Sequence, residues 1–225
     1  MKLRMCAVPT VGLALLLLTG CSGLTPGTAS DVNGKRITTS RVSDLAAAQC
    51  DLRGTLTKKQ LAPPITAAQV SRDSLSLLMD SELAKQYAVA KDLKPDPIIA
   101  AAFLSRVQPL FEDLPAHSKT LLTDVFRVWA DTRSVLVEAG SDATGEKPSA
   151  TNLDKLLDAG LQARAVWLKK ADITTDPRYG PDKDGYPSRL SASVSKARST
   201  FALNAAKPTP DPAFLNSLPA NQKCG

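Results

Sequence analysis

Val32-Asn33-Gly34-Lys35-Arg36-Ile37-Thr38 is the stretch whose reading decides the fold of this chain. Asn-Gly best tolerates two successive positive φ angles, so residues 31–32 and 35–38 are expected as short extended pieces around a type I′ turn. The next segment has a helical period. Thr39 or Ser40 can cap a first helix in which Val42, Leu45, Ala46 and Gln49 keep that spacing to about Leu56. Pro63-Pro64 breaks the chain, and Thr66 caps a long second helix marked by Val70, Leu75, Leu78, Met79, Leu83, Tyr87 and Ala90. Lys94-Pro95-Asp96-Pro97 ends it. A third helix is expected over 98–111, with Ile98, Ala102, Val107 and Leu110 or Phe111 as apolar points and Pro109 kinking or shortening it.

The fourth helix, about 116–139, has the clearest stripe. Leu122, Val125, Trp129, Thr132 and Leu136 fall on one face, which should pack lengthwise against a neighbour. A polar loop with glycines is expected over 140–149. Leu153, Leu156, Leu157, Leu161, Ala165, Trp167 and Leu168 then mark a fifth helix that stops near Asp172. Ile173-Thr174-Thr175 is β-branched and extended, Asp176-Pro177-Arg178-Tyr179-Gly180 makes a turn, and 181–187 is a loop rich in Asp and Gly. Residues 190–194 alternate apolar and polar, enough for one short strand. The expected fold is mostly α: about five helices over 31–195, with a small sheet of short strands from the two ends of the domain. Residues 196–225 are expected as an irregular Pro-containing tail.

Upstream, 22–30 is a small-residue tether. Before it, Lys2 and Arg4 precede the apolar run 11–18, and Leu18-Thr19-Gly20-Cys21 has the form of a bacterial lipoprotein cleavage site. The run is too short to span a bilayer. Residues 1–20 are therefore expected to be removed and Cys21 to carry the acyl anchor on the outer face of the cytoplasmic membrane. An ordinary cleaved signal is the alternative. Without Lys2 and Arg4, 26 of the 28 basic residues face 22 acidic ones, a mature net charge of about +4 with no basic block. That favours solubility and mild attraction to anionic polymers, and argues against nucleic acid as a partner.

With Cys6 discarded and Cys21 acylated, Cys50 and Cys224 remain as an even pair in an oxidising compartment. A disulfide between them would tie the tail back onto the first helix and stabilise by about 5 kcal/mol at most in the chain-entropy model. Two free buried thiols are the alternative. Two cysteines and one histidine cannot complete a structural zinc site.

Three residue groups resemble the N-terminal chaperone segment of the SurA and PrsA class of extracytoplasmic folding factors, in the short actinobacterial lipoprotein form. They are Val32-Asn33-Gly34 with Ile37-Thr38, the apolar second helix through Leu75-Ser76-Leu77-Leu78-Met79-Asp80-Ser81-Glu82-Leu83, and the closing Pro177-Arg178-Tyr179-Gly180 turn. The resemblance covers roughly 31–195. It implies a helical chaperone-like domain in which Asn33, Gly34, Pro177, Arg178, Tyr179 and Gly180 are structural, the closing turn packing against the opening hairpin. Two departures stand out: 181–185 separates the turn from Tyr186, and with 45 residues after Gly180 the prolyl isomerase domain of full-length relatives is not expected here.

Catalytic groupings are scarce. His117 is the only histidine, and no Gly-x-Ser-x-Gly, phosphate loop or His-Glu-x-x-His occurs. Asp80 with Glu82, and Glu112 with Asp113, point to different sides of a helix. Asp182 and Asp184 around Gly185 suggest a plain turn, a calcium loop lacking its distal glutamate. Trp129 and Trp167 are expected in the core. Neither a cofactor nor catalysis is expected. The implied function is a lipid-anchored chaperone that holds unfolded secreted polypeptides, with Met79, Leu83, Phe103 and Phe111 as candidate client contacts. A scaffold docking one folded envelope protein is the alternative. Intact mass spectrometry of the protein purified from membranes should show a chain starting at Cys21 plus a diacylglycerol group, and a gain of two protons on reduction.

Overall fold

The computed structural model describes residues 24–187, 199–205, 207 and 210–225. The leader, Cys21 and the strand expected over 190–194 lie outside the described residues. The chain opens with strands β1 (Thr28–Val32) and β2 (Lys35–Thr38), joined at Asn33 and Gly34. Both turn residues have positive φ, 51° and 81°, as the type I′ turn requires. The tether expected over 22–30 is thus too long by three residues. Thr28, Ala29 and Ser30 are buried strand, at 5%, 0% and 0% exposure. Their small size hid them, because the hydroxyls find partners inside the sheet: Ser30 Oγ lies 3.0 Å from Thr175 Oγ1.

Five substantial helices come next: α1 (Thr39–Lys58), α2 (Ala67–Lys91), α3 (Pro97–Val107), α4 (Ala116–Thr144) and α5 (Leu153–Leu168). The cap of α1 is Thr38, the residue before the expected pair, and its hydroxyl accepts from Arg41 N at 3.3 Å. Thr39 N is committed instead to Gly27 O, at 2.8 Å, so strand passes into helix with no loop. Thr66 caps α2 as expected. Pro109 converts the end of α3 into a 3-10 turn, Gln108–Phe111. Ile98 is 80% exposed and its neighbour Ile99 is buried, a one-position error in the apolar face.

β4 (Ile173–Thr175) runs antiparallel beside β1, with Ser30 opposite Thr175, Asp31 opposite Thr174 and Val32 opposite Ile173. The sheet order is β2-β1-β4, so the opening strand is its centre and the two ends of the helical segment meet there. Asn33 adds a side-chain clasp. It donates its N–H to Asp172 O (2.8 Å), accepts from Asp172 N at Oδ1 (2.7 Å) and donates from Nδ2 to Gln86 Oε1 of α2 (2.6 Å).

Val32 and Ile37 cover one core with Leu45, Leu75, Met79, Leu83, Phe111 and Leu122; a second core lies between α3, α4 and α5. There the expected loop over 140–149 gives way to helix as far as Thr144, because Gly140 is a contact residue and not a breaker. A Cβ on Gly140 would lie 1.9 Å from Leu156 O, and one on Gly160 would lie 1.8 Å from Leu136 O. The backbones of α4 and α5 touch at this reciprocal point. Gly145, at φ 73°, ends α4 instead.

The described residues of the tail include regular elements, contrary to the expectation of an irregular one. Two short helices, α6 (Thr200–Ala205) and α7 (Pro212–Ser217), precede β5 (Lys223–Cys224), which pairs antiparallel with β3 (Ile65–Thr66). Cys224 is bonded to Cys50 of α1, with Cα atoms 4.8 Å apart. Gly140→Ala and Gly160→Ala should each cost about 1–3 kcal/mol by prising α4 from α5. Gly54→Ala, in α1 with open space around its Cβ position, should gain roughly 0.5–1 kcal/mol. Thermal unfolding of the three variants checks both signs.

Candidate functional site

Met79, Leu83, Phe103 and Phe111, taken from the sequence as client contacts, are 0%, 0%, 2% and 1% exposed. They are core residues and offer a ligand no surface as the molecule stands. The helical spacing that singled them out is the spacing that turns side chains inward. Trp129 and Trp167 are half-buried. Trp167 meets Tyr87 edge-on at 5.7 Å, and Trp129 packs with Phe103 and Phe126.

His117 is exposed in the first turn of α4. Asp80 accepts from Arg164, whereas Glu82 accepts from Gln86, so this carboxylate pair diverges. Asp113 pairs with Lys59 at 2.5 Å, and that hydrogen bond holds its carboxyl below the usual range. Asp182 Oδ1 accepts from Asp184 N and Tyr186 N, closing a turn. Among the described residues no three His, Cys, Asp or Glu side chains are placed to hold a metal ion.

The closing turn does pack where the hairpin begins. Asp176 caps Pro177–Tyr179 through Arg178 N at 2.9 Å, its own N–H donates to Ala29 O at 2.9 Å, and Tyr179 packs on the first core. Arg178 bonds Asp176 with its fork, Nε to Oδ1 at 3.1 Å and Nη2 to Oδ2 at 2.7 Å. That fork lowers the Asp176 carboxyl, and Asp176 raises the guanidinium in return.

The feature best shaped for binding lies under the outer edge of the hairpin. A hollow of about 230 Å³ opens between β2, α1, α2 and α4. Ile37, Leu45, Leu78 and Val125 form a nearly sealed apolar floor, and the half-buried Leu121 and Val128 form one wall. Lys35, Arg36, Arg41 and Lys85 surround it with positive charge, against Glu82 and Asp124. β2 itself carries no further strand among the described residues, and its Lys35, Arg36 and Ile37 line the hollow. Drug-sized ligand pockets run to about 300–1,000 Å³. This one is smaller, suited to a single side chain of something larger that lies along the edge.

Sequence reasoning missed this site because it brings β2 and the start of α1 against residues of α2 and α4 some forty to ninety positions further along. One local signal was present: Lys35-Arg36 beside Ile37 puts two charges on an edge strand. No family model, no curated protein and no solved structure matches the chain.

A carboxylate lowered by a partner contributes stability above its unfolded pKa and loses it as pH falls through the folded value. Asp176→Asn should therefore lower the melting temperature at neutral pH. The deficit should shrink once pH falls below the ordinary aspartate range and the lowered Asp176 carboxyl takes up its proton. Melts of both proteins across that range measure it.

Proposed function

We propose that this chain is a lipid-anchored extracytoplasmic chaperone of the SurA and PrsA type, tethered to the outer face of the cytoplasmic membrane through Cys21. It holds extended segments of unfolded secreted polypeptides, with no isomerase chemistry and no cofactor. The observation that carries this reading is the hollow beneath β2: an apolar floor, a basic surround and an unpaired strand edge together. A polypeptide lying along β2 would add main-chain hydrogen bonds independent of sequence and seat an apolar side chain in the hollow. That combination suits clients that share exposed backbone and hydrophobic residues but no motif.

The basic surround gives a preference as well. Four cations against two carboxylates favour segments with acidic residues flanking the apolar anchor. No helix among the described residues is long and apolar enough to cross a membrane. A scaffold role through a free Pro-rich tail gains no support, since 212–217 is helix and 223–224 is strand bonded to α1.

Leu121→Lys and Val128→Asp alter the wall of the hollow at half-buried positions, where folding should survive. The purified chain should suppress aggregation of a reduced model client, and both variants should lose most of that effect. Suppression by the wild-type chain with no change in either variant would move the binding surface elsewhere. No suppression, with one stoichiometric folded partner recovered from envelope extract, would replace the chaperone reading by scaffolding.

A further inference from the structure

Arg133 Nε and Arg164 Nε are buried polar atoms without a hydrogen-bond partner in the structure, as is Tyr186 Oη, which lies within electrostatic reach of Arg164. The two arginines line a crevice of about 80 Å³ between α2, α4 and α5, walled by Leu77, Trp129, Leu136 and Leu161. The Arg164 side chain is only 9% exposed, and it bonds Asp80, through Nη2 to Oδ1 at 3.2 Å and Nη1 to the Asp80 carbonyl at 3.5 Å. Asp80 is half exposed and reaches only one side of the guanidinium. Arg133 stacks on Trp129, Cζ lying 4.3 Å from the ring centroid, and pairs with no carboxylate at ion-pair distance among the described residues.

Each guanidinium carries five N–H donors, and in both the Nε–H is buried with no acceptor. Leaving a buried donor unsatisfied is costly, and more so for a charged group. The hydroxyls of Ser81 and Thr132, which also line the crevice, donate back to their own helix at Leu77 O and Trp129 O. Recognition there falls to the guanidiniums. Burial pushes the Arg133 pKa down, with Arg164 adding to that direction, while burial first and Asp80 second push the Tyr186 phenol up to about 12. The phenol therefore stays a donor within reach of Arg164.

We propose that this crevice is a binding site for a carboxylate group. Asp80 is bonded to Arg164, and Asp154, the other carboxylate that acts on Arg133, is already paired with Arg106, so the two guanidiniums keep one uncompensated positive charge, which matches a monoanion and disfavours a dianion such as phosphate. The planar forks fit a carboxylate, and the apolar walls fit a small aliphatic group next to it. The site shares only Ser81 with the hollow under β2, and its test does not depend on that one. Its carboxylate comes either from a polypeptide, at a chain end or an acidic side chain, or from a free small acid.

Nitrogen-15 spectra of the purified full-length chain read the Nε–H signals of Arg133 and Arg164 directly. The probes are acetyl-Ala-Leu with a free carboxylate, the same peptide amidated, acetyl-Glu-amide, and isovalerate. The two signals should shift saturably with the carboxylates and not with the amidated peptide. Tighter binding of either peptide carboxylate than of isovalerate assigns a polypeptide source, and the reverse order assigns a free acid. Arg133→Gln should weaken binding by about tenfold or more, the loss of a charge-assisted pair, with distant signals unmoved. No saturable shift, equal shifts with the amidated peptide, or unchanged affinity in a folded Arg133→Gln chain would each overturn the proposal.

Discussion

The fold depends on one strand being shared from both sides. β1 pairs with β2, its immediate neighbour in sequence, and with β4, which lies beyond the whole helical segment. The first pairing is local and needs only the Asn-Gly turn. The second must offset the entropy of closing a loop of well over a hundred residues, a cost that rises slowly with length. Buried polar bonds support it: the Ser30 and Thr175 hydroxyls meet inside the sheet, and Thr175 donates onward to Gly185 O at 2.7 Å. Asn33 adds its bonds to Asp172 and Gln86 at the exposed tip. At about 1 kcal/mol net for each hydrogen bond, this junction is worth a sizeable part of the roughly 5–15 kcal/mol that holds a typical domain.

Two further devices keep the helices in register with that sheet. Gly140 and Gly160 bring the α4 and α5 backbones into direct contact, so the second core is set by what is missing from those positions as much as by its leucines. At the opposite end, Cys50 and Cys224 fix the last strand to α1 and hold it beside Ile65 and Thr66. The chain is thus closed twice, by a sheet near its opening and by a covalent bond at its end. Between these closures, α2 and α4 leave the two hollows, one floored by aliphatic side chains and one by guanidiniums. Ser81 lines both.

The legible parts of this architecture were those whose cause is local. Asn33-Gly34 announced the hairpin, Thr66 the cap of α2, and Pro109 the end of α3, each through the chemistry of one or two residues. Cys50 and Cys224, the pair left by the cysteine count, lie with Cα atoms 4.8 Å apart. Features created by juxtaposition were not legible. Thr28-Ala29-Ser30 resembled a linker because its partners are 144 and 145 residues away, and Gly140 resembled a breaker because Leu156 is what it touches. The tail was misread by composition, although Asp211-Pro212 repeats the cap seen at Asp96-Pro97 and Asp176-Pro177, an aspartate accepting from backbone N–H groups ahead of a proline. Met79 and Leu83 were chosen for being large and apolar, the property that buried them.

The proposed function rests on the hairpin being anchored, since β2 borders its hollow only while β1 is held from behind by β4. Nuclear Overhauser contacts across that seam test the anchoring most directly. With this register, the α-protons of Val32 and Ile173, and of Ser30 and Thr175, face each other at non-hydrogen-bonded positions. The predicted result is a strong contact within each pair, together with slow exchange of the Asn33 and Asp176 amide protons. Missing contacts, with those amides exchanging as fast as free peptide while the helices stay protected, would contradict it.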